Sequence, residues 1–236
     1  MKKTLTRAAA FLLSGLMMCG VTISGRAEES VGIPKSVYSS QTNNQNKIAL
    51  TFDDGPHPVY TPIILDILRE YGLHATFFMI GENAKKYPEL VLQIQQAGHE
   101  IGNHTYLHAN LKESPPQKIK EEILEAENAL LQIGDQRPKI LRPPGGLYDE
   151  EVCAAARALD YDIILWTVDT LDWAHTPSSE IYRKVTENIR CGDIILCHDF
   201  VGGAPSPTPE ALRMFIPELL QRGYTFVTVS ELIHSR

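Results

Sequence analysis

From position 48 onward, two kinds of apolar pattern alternate along the chain. The first is short and apolar at nearly consecutive positions, as in 48–52, 75–80, 139–141, 161–168, 194–197 and 224–229, with a further short strand at 100–104. The second has helical spacing. Ile63, Ile64, Ile67, Leu68 and Tyr71 form one such face, closed by Gly72, and 88–97 forms another, stopped by Gly98. Ile119, Ile123, Ala126 and Leu130 line a long helix that ends near Gly134, and Val152, Ala156 and Leu159 mark the next. Ile181, Val185 and Ile189 follow Thr176-Pro177, a suitable cap and first helical position. Leu212, Phe215, Leu219 and Leu220 mark a last long helix, which Pro217 is expected to kink, and a short helical tail ends the chain.

The pattern predicts roughly seven βα units with a parallel sheet buried on both faces, because the strands are apolar throughout rather than alternating. Such a chain forms either a small (β/α) barrel or an open doubly wound sheet. No Gly-x-Gly-x-x-Gly follows the first strand, which argues against nucleotide binding. The polar residues Asp53, Asp54, His104, Arg142, Asp172 and His198 all fall at carboxyl ends of strands, where barrel active sites lie, so we expect an α/β fold of the distorted-barrel kind.

Ahead of these units, 28–46 is polar, rich in Ser, Asn and Gln, and reads as a flexible leader to a catalytic domain at 47–236. Residues 1–27 read as a cleaved secretory signal: Lys2, Lys3 and Arg7 make the basic start, 8–23 is apolar, and Gly25-Arg26-Ala27 suits cleavage. An uncleaved N-terminal anchor is the alternative, and no later stretch is apolar enough to span a bilayer. A secreted or cell-surface protein is therefore expected.

Composition narrows the partners. Losing Lys2, Lys3, Arg7 and Arg26 with the signal takes the formal charge from −7 to −11, which disfavours nucleic acid or an anionic membrane. Cys19 leaves with the signal, and Cys153, Cys191 and Cys197 remain, with no spacing that suggests a disulfide framework or a cysteine zinc site. A monomer is expected.

Asp53-Asp54-Gly55 follows the first strand. Two carboxylates at the end of a buried strand need their charge offset, and a divalent metal does so if one binds it and the other stays free to accept a proton. His104 and His108 stand four residues apart; on one helical turn both imidazoles share a metal, and a carboxylate as third ligand leaves an open position for water. Arg142-Pro143-Pro144-Gly145-Gly146 offers a cation to pair with Asp53 and backbone N–H groups, at Gly145 or Gly146, to receive an oxyanion. Asp169-Thr170-Leu171-Asp172-Trp173 offers an Asp to orient a histidine and, in Trp173, a flat wall for a sugar, and His198 suits general-acid work. Each signal also has a plainer reading: a capped turn, two surface histidines, a rigid loop, a core Trp, a structural His.

In series, Thr-Phe-Asp-Asp-Gly, His-Thr-x-x-His, Arg-Pro-Pro-x-Gly, Asp-x-x-Asp-Trp and Leu-x-His are specific. Their order resembles the polysaccharide deacetylase family, the NodB-homology domain of chitin and peptidoglycan deacetylases, over about residues 46–235. The resemblance implies a distorted (β/α) barrel and one divalent metal, usually zinc, that removes N- or O-acetyl groups from an acetylated glycan. By matching position it implies Asp53 as base and Asp54, His104 and His108 as metal ligands. Arg142 resembles the residue that tethers the base, Asp172 the partner of the acid His198, and Leu196 and Trp173 the walls of the acetyl pocket. Two positions depart from the pattern: Gly145 stands where Tyr is frequent, and Cys197 where a larger apolar residue is. The expectation is a secreted metal-dependent deacetylase of N-acetylglucosamine-type polysaccharide. An O-acetyl xylan esterase and a catalytically silent glycan-binding protein are the rivals.

Overall fold

The longest strand, β2 (Lys47–Asp53), is buried on both faces. Successive side chains point opposite ways. Ile48, Leu50 and Phe52 therefore enter one apolar cluster, while Ala49, on the same face as Thr51 and Asp53, enters another. In this computed structural model residues 37–202 and 205–234 are described. The chain divides into Met1–Ile33, which with the expected signal lies outside the described residues, and the unit Pro34–Arg236.

After β2 come α1 (Tyr60–Tyr71), β3 (Thr76–Met79), α2 (Gly81–Lys86), α3 (Pro88–Gln96) and β4 (Glu100–Asn103). Then follow α4 (Pro116–Leu131), β5 (Ile140–Leu141), α5 (Glu150–Ala158), β6 (Asp162–Ile164) and β7 (Val168–Asp169). The chain continues through α6 (Ser178–Asn188), β8 (Ile194–His198), α7 (Thr208–Gln221), β9 (Thr225–Val227) and α8 (Val229–Ile233). Gly72 ends α1 in a left-handed cap, as expected. The helix expected to begin at Pro177 starts one residue later, and α7 runs through Pro217 as one element.

All strand pairs are parallel. The order runs β6-β5-β4-β3-β2-β8-β7, and its two ends are joined along the chain rather than by a ladder, because β6 and β7 are two halves of one chain segment. The single strand expected at 161–168 is thus broken: its first half pairs with β5 and its second with β8, which is the distortion of the barrel. β9 joins the first half of β2, outside the ring.

The expected leader needs correction where it is described. Val37–Tyr38 is a strand, β1, paired with β6, and Ser40 bridges Asp193. The reason is that Val37 and Tyr38 pack against the core clusters, while the Asn43 side chain closes a turn by bonding Gln41, Gln45 and Lys47. β1 and the split account for nine strands among the described residues, where about seven were expected.

One cluster lies under α1, α3, α6 and α7, and a second under α4 and α5. The third fills the barrel, where Ala49, Phe78, Ile140, Ile164 and Ile194 meet Val229, Leu232 and Ile233 of α8. The N–H groups of Val229 and Ser230 bond Thr76 and Glu100, the first residues of β3 and β4. Thus α8 plugs the N-terminal mouth, and the carboxyl-end mouth is left to the candidate site. No helix among the described residues is long and apolar enough to cross a membrane.

Candidate active site

Register brings Asp53, the last residue of β2, beside His198, the last residue of β8. Asp53 is buried, and its Oδ1 lies 2.7 Å from Nη1 of Arg142, which is fully buried. A lone buried guanidinium is costly, but this one has a partner for each of its three nitrogens. Nη1 also donates to Thr51 Oγ1 at 2.8 Å, Nε to the Ile164 carbonyl at 3.2 Å and Nη2 to the Leu165 carbonyl at 3.1 Å. Those carbonyls stand where β6 breaks, so the cation also satisfies backbone the ladder has left. Its Cζ lies 4.1 Å from the centroid of the Phe78 ring. A Cβ at Gly102 would come within 2.4 Å of that ring, which is why β4 carries glycine there. Burial pushes the Arg142 pKa down and Asp53 pulls it back, so the guanidinium remains charged.

Asp54, His104 and His108 each offer one ligand atom, all within 4.8 Å of one another. His104 Nδ1 lies 2.6 Å from the Arg142 carbonyl, so it carries the proton and turns the Nε2 lone pair toward Asp54 Oδ1, 3.4 Å away. His108 Nε2 is 3.3 Å from the same oxygen. Asp54 Oδ1 is buried without a hydrogen bond. Burial would raise the Asp54 pKa, but His104, His198 and His108 outweigh it and keep the carboxylate ionised. Burial likewise opposes charge on His104, and Asp53, Asp54 and the Arg142 carbonyl overcome it, so positive charge is favoured at this spot. Two imidazoles and a carboxylate with an orphaned oxygen suit a borderline divalent cation such as zinc.

The His104–His108 segment is not a helical turn. Thr105 and His108 have φ of +66° and +56°. The backbone N–H of Thr105 is taken by the Asn103 side chain, and those of Tyr106 and Leu107 by Glu122 Oε2. The Thr105 and Tyr106 carbonyls accept from Gly81 and Glu82 at the start of α2. With donors and acceptors committed elsewhere the segment is a clamped loop, yet the two rings still meet, with centroids 5.1 Å apart. α2 also holds the third candidate ligand: Asn83 Nδ2 donates to the Asp54 carbonyl at 2.9 Å, fixing a residue with φ of +74°.

Across the mouth, His198 Nδ1 lies 2.8 Å from Asp172 Oδ1, and the His198 backbone N–H donates to Oδ2. Asp172 is fully buried and also accepts from Thr208 Oγ1 at 2.6 Å and the Trp173 N–H at 2.9 Å. Burial pushes the His198 pKa down, but the hydrogen bond and charge of Asp172 carry it up to about 9. Gly145 sits exposed in a 3-10 turn, Pro144–Gly146, with φ of +64°. The Gly146 N–H is taken by the Pro143 carbonyl, which leaves Gly145 as the candidate oxyanion donor of the two. Leu196 is buried one register step behind His198, paired with Thr51, and Trp173 is 54% exposed beside Asp172. Cys197 points the other way, into the cluster under the helices.

Asp199, Glu122, Asn83 and Asn103 were not anticipated as part of the site. Asp199 is buried, bonded by Thr61 Oγ1, and pushed up to about 7, chiefly by burial. Only its place beside His198 marks it in the sequence. A cavity of about 610 Å³ lined by Asp66, Arg69, His74 and His99 lies instead at the N-terminal ends of β3 and β4 and holds none of these groups.

The family pattern described as polysaccharide deacetylase matches residues 40–164. The chain belongs to that family. The deacetylase is 44% identical over 193 residues to a peptidoglycan-N-acetylglucosamine deacetylase of Bacillus cereus, covering 81% of this chain and 90% of the relative. Among solved structures it is similar to a peptidoglycan N-acetylglucosamine deacetylase in complex with 4-naphthalen-1-yl-N-hydroxybenzamide. There the TM-score is 0.82 and the identity 37%, over 85% of this deacetylase and 94% of that chain. It is also similar to a family 4 acetyl xylan esterase from Clostridium thermocellum in complex with a cobalt ion, with TM-score 0.73, 33% identity and coverage of 79% and 89%.

Proposed function

We propose that this deacetylase hydrolyses the N-acetyl groups of an N-acetylglucosamine-type glycan, peptidoglycan or chitin oligomers, outside the cytoplasm. The observation that carries the reading is a pair of tethered groups, neighbours in register, beside one cation site. Asp53 is held by Arg142, His198 is held by Asp172, and Asp54, His104 and His108 cluster next to Asp53, whose Oδ2 lies 3.7 Å from His104 Nε2. The relatives named as peptidoglycan deacetylases support the substrate class. The basic and apolar pattern of 1–27 supports export.

Asp54, His104 and His108 would hold the cation, most simply zinc, which supplies a Lewis acid for the acetyl carbonyl and lowers the pKa of water. Asp53 takes the proton of the attacking water, and Arg142 fixes the carboxylate's direction. The Gly145 N–H donates to the developing oxyanion. His198, protonated at neutral pH, gives its proton to the leaving nitrogen. Nothing in this set discriminates amide from ester, and the likeness to an acetyl xylan esterase supports O-acetyl hydrolysis as the second reading.

The test is acetate release from chitin oligomers, purified peptidoglycan and acetylated xylan, as purified, after chelation and after zinc is restored. Chelator-sensitive release from an amide substrate is expected. Asp53→Asn should cut release by about a thousandfold while zinc stays bound, and His104→Ala should lose both. Near-normal turnover in Asp53→Asn would sink the assignment of the base, and release from xylan alone would move the protein to the esterase reading.

A further inference from the structure

Three rings stack beside the mouth in a way the reaction does not use. The His57 imidazole lies between Tyr60, at 5.3 Å between centroids and 22° between planes, and Phe200, at 4.6 Å and 17°. His57 follows the ligand Asp54 by three residues, and Phe200 follows His198 by two, so the stack adjoins the catalytic face through two neighbouring strand ends. A lone exposed ring is ordinary on a protein surface. Phe200 differs in that it is 40% exposed while its inner face is backed by two further rings.

The backing is built in. The His57 N–H donates to Thr61 Oγ1 at 2.7 Å, and Thr61 in turn bonds the buried Asp199, next to Phe200. His57 Nδ1 accepts from the Val59 and Tyr60 N–H groups, so that nitrogen is unprotonated. Tyr60 Oη accepts from the Ser206 N–H at 3.1 Å, which ties the segment after β8 to the same stack. The ring is therefore pre-positioned, which lowers the entropic cost of binding against it. An aromatic face carries negative charge density, and the carbon face of a pyranose presents weakly positive C–H groups over a similar flat area.

We propose that the outer face of Phe200 is a sugar platform that receives the pyranose next to the one being deacetylated. The inference rests on the glycan reading of the neighbouring centre and deepens it: the preferred substrate is a chain rather than a single acetylated sugar.

The experiment uses the Asp53→Asn protein with zinc, which binds without turning over. N-Acetylglucosamine and its β-1,4 tetramer are titrated by calorimetry with Phe200 intact and with Phe200→Ala, Phe200→Leu and Phe200→Trp. Removing the ring, in the Ala and Leu variants, should weaken tetramer binding about tenfold, with a much smaller change for the monosaccharide. Trp should hold the tetramer within about twofold of Phe. Agreement between Ala and Leu separates loss of the flat ring from loss of packing, since Leu keeps apolar bulk. Equal affinities with and without the ring, equal losses for monosaccharide and tetramer, or no affinity for the tetramer would overturn the platform. Acetate release by the unmodified enzyme from the same tetramer reads the reaction separately. Release without ring-dependent binding removes the platform alone. Ring-dependent binding without release removes the reaction assignment and leaves the platform standing.

Discussion

His198 carries the clearest pH dependence at the level of single residues. Burial alone would lower its pKa, and the Asp172 carboxylate reverses that and lifts it to about 9. An acid with a raised pKa is fully protonated at neutrality and loses its proton only as pH rises through that value, so kcat/KM should fall on the alkaline side. A cation held by Asp54, His104 and His108 repels the imidazolium, which places that limb at or below pH 9 in the loaded enzyme. Asp172→Asn keeps a hydrogen-bond acceptor but removes the charge. Its alkaline limb should move to lower pH by about one unit or more, with the maximum rate reduced about a hundredfold or more. A pH profile of kcat/KM for both proteins measures this, and an unmoved limb would show that another group sets it. Arg142 behaves differently: it is charged at every accessible pH, so its contribution is direction rather than titration.

The elements that hold the candidate ligands matter as much as the residues themselves. The loop 104–108 hangs between α2 and the buried Glu122 of α4, whose Oε2 accepts from Tyr106 and Leu107 while Oε1 pairs with Lys118 at 2.7 Å. Glu122→Ala should free two N–H groups and loosen His104 and His108. Zinc affinity, read by competition with a chelator, should fall about ten- to hundredfold. Glu122→Gln, which keeps an acceptor oxygen, should lose less; unchanged affinity in the Ala variant would mean that α2 alone suffices. This arrangement also marks where the sequence stops being legible. The His-Thr-x-x-His spacing brought the two imidazoles together correctly, but it suggested a helical turn, since the claims of Asn103 and Glu122 on that backbone come from other segments. α2 escaped notice because Gly81-Glu82-Asn83-Ala84-Lys85-Lys86 has too few apolar positions to show a period, and packing buries only Gly81 and Ala84. Asp53, Arg142 and His198 were legible because each ends an apolar run, a feature local to the chain. The break between β6 and β7 was not, because the run stays apolar across it and only pairing partners tell the halves apart.

For the whole molecule, that break is where closure of the barrel meets the chemistry. Arg142 bonds the Ile164 and Leu165 carbonyls from inside, and the Leu165 N–H donates to the Tyr38 carbonyl of β1 at 2.7 Å. The segment 37–46, polar enough to pass for a leader, therefore braces the strand that positions the cation behind Asp53. It makes a second attachment where the Gln41 N–H donates to Gly192 and Ser40 bridges Asp193, just before β8. A chain beginning at residue 47 loses both attachments and the packing of Val37 and Tyr38. Against a chain beginning at 37, it should be less stable by about 2–3 kcal/mol, a melting temperature lower by roughly 5–10 °C. Because Leu165 is released along with β1, acetate release should also fall at temperatures where both chains remain folded, by more than the unfolded fraction accounts for. Calorimetry and acetate release on the two chains test this together. Equal melting temperatures would return 37–46 to the role of a leader, whereas a lower melting temperature with full activity would confine β1 to stability and detach it from Arg142.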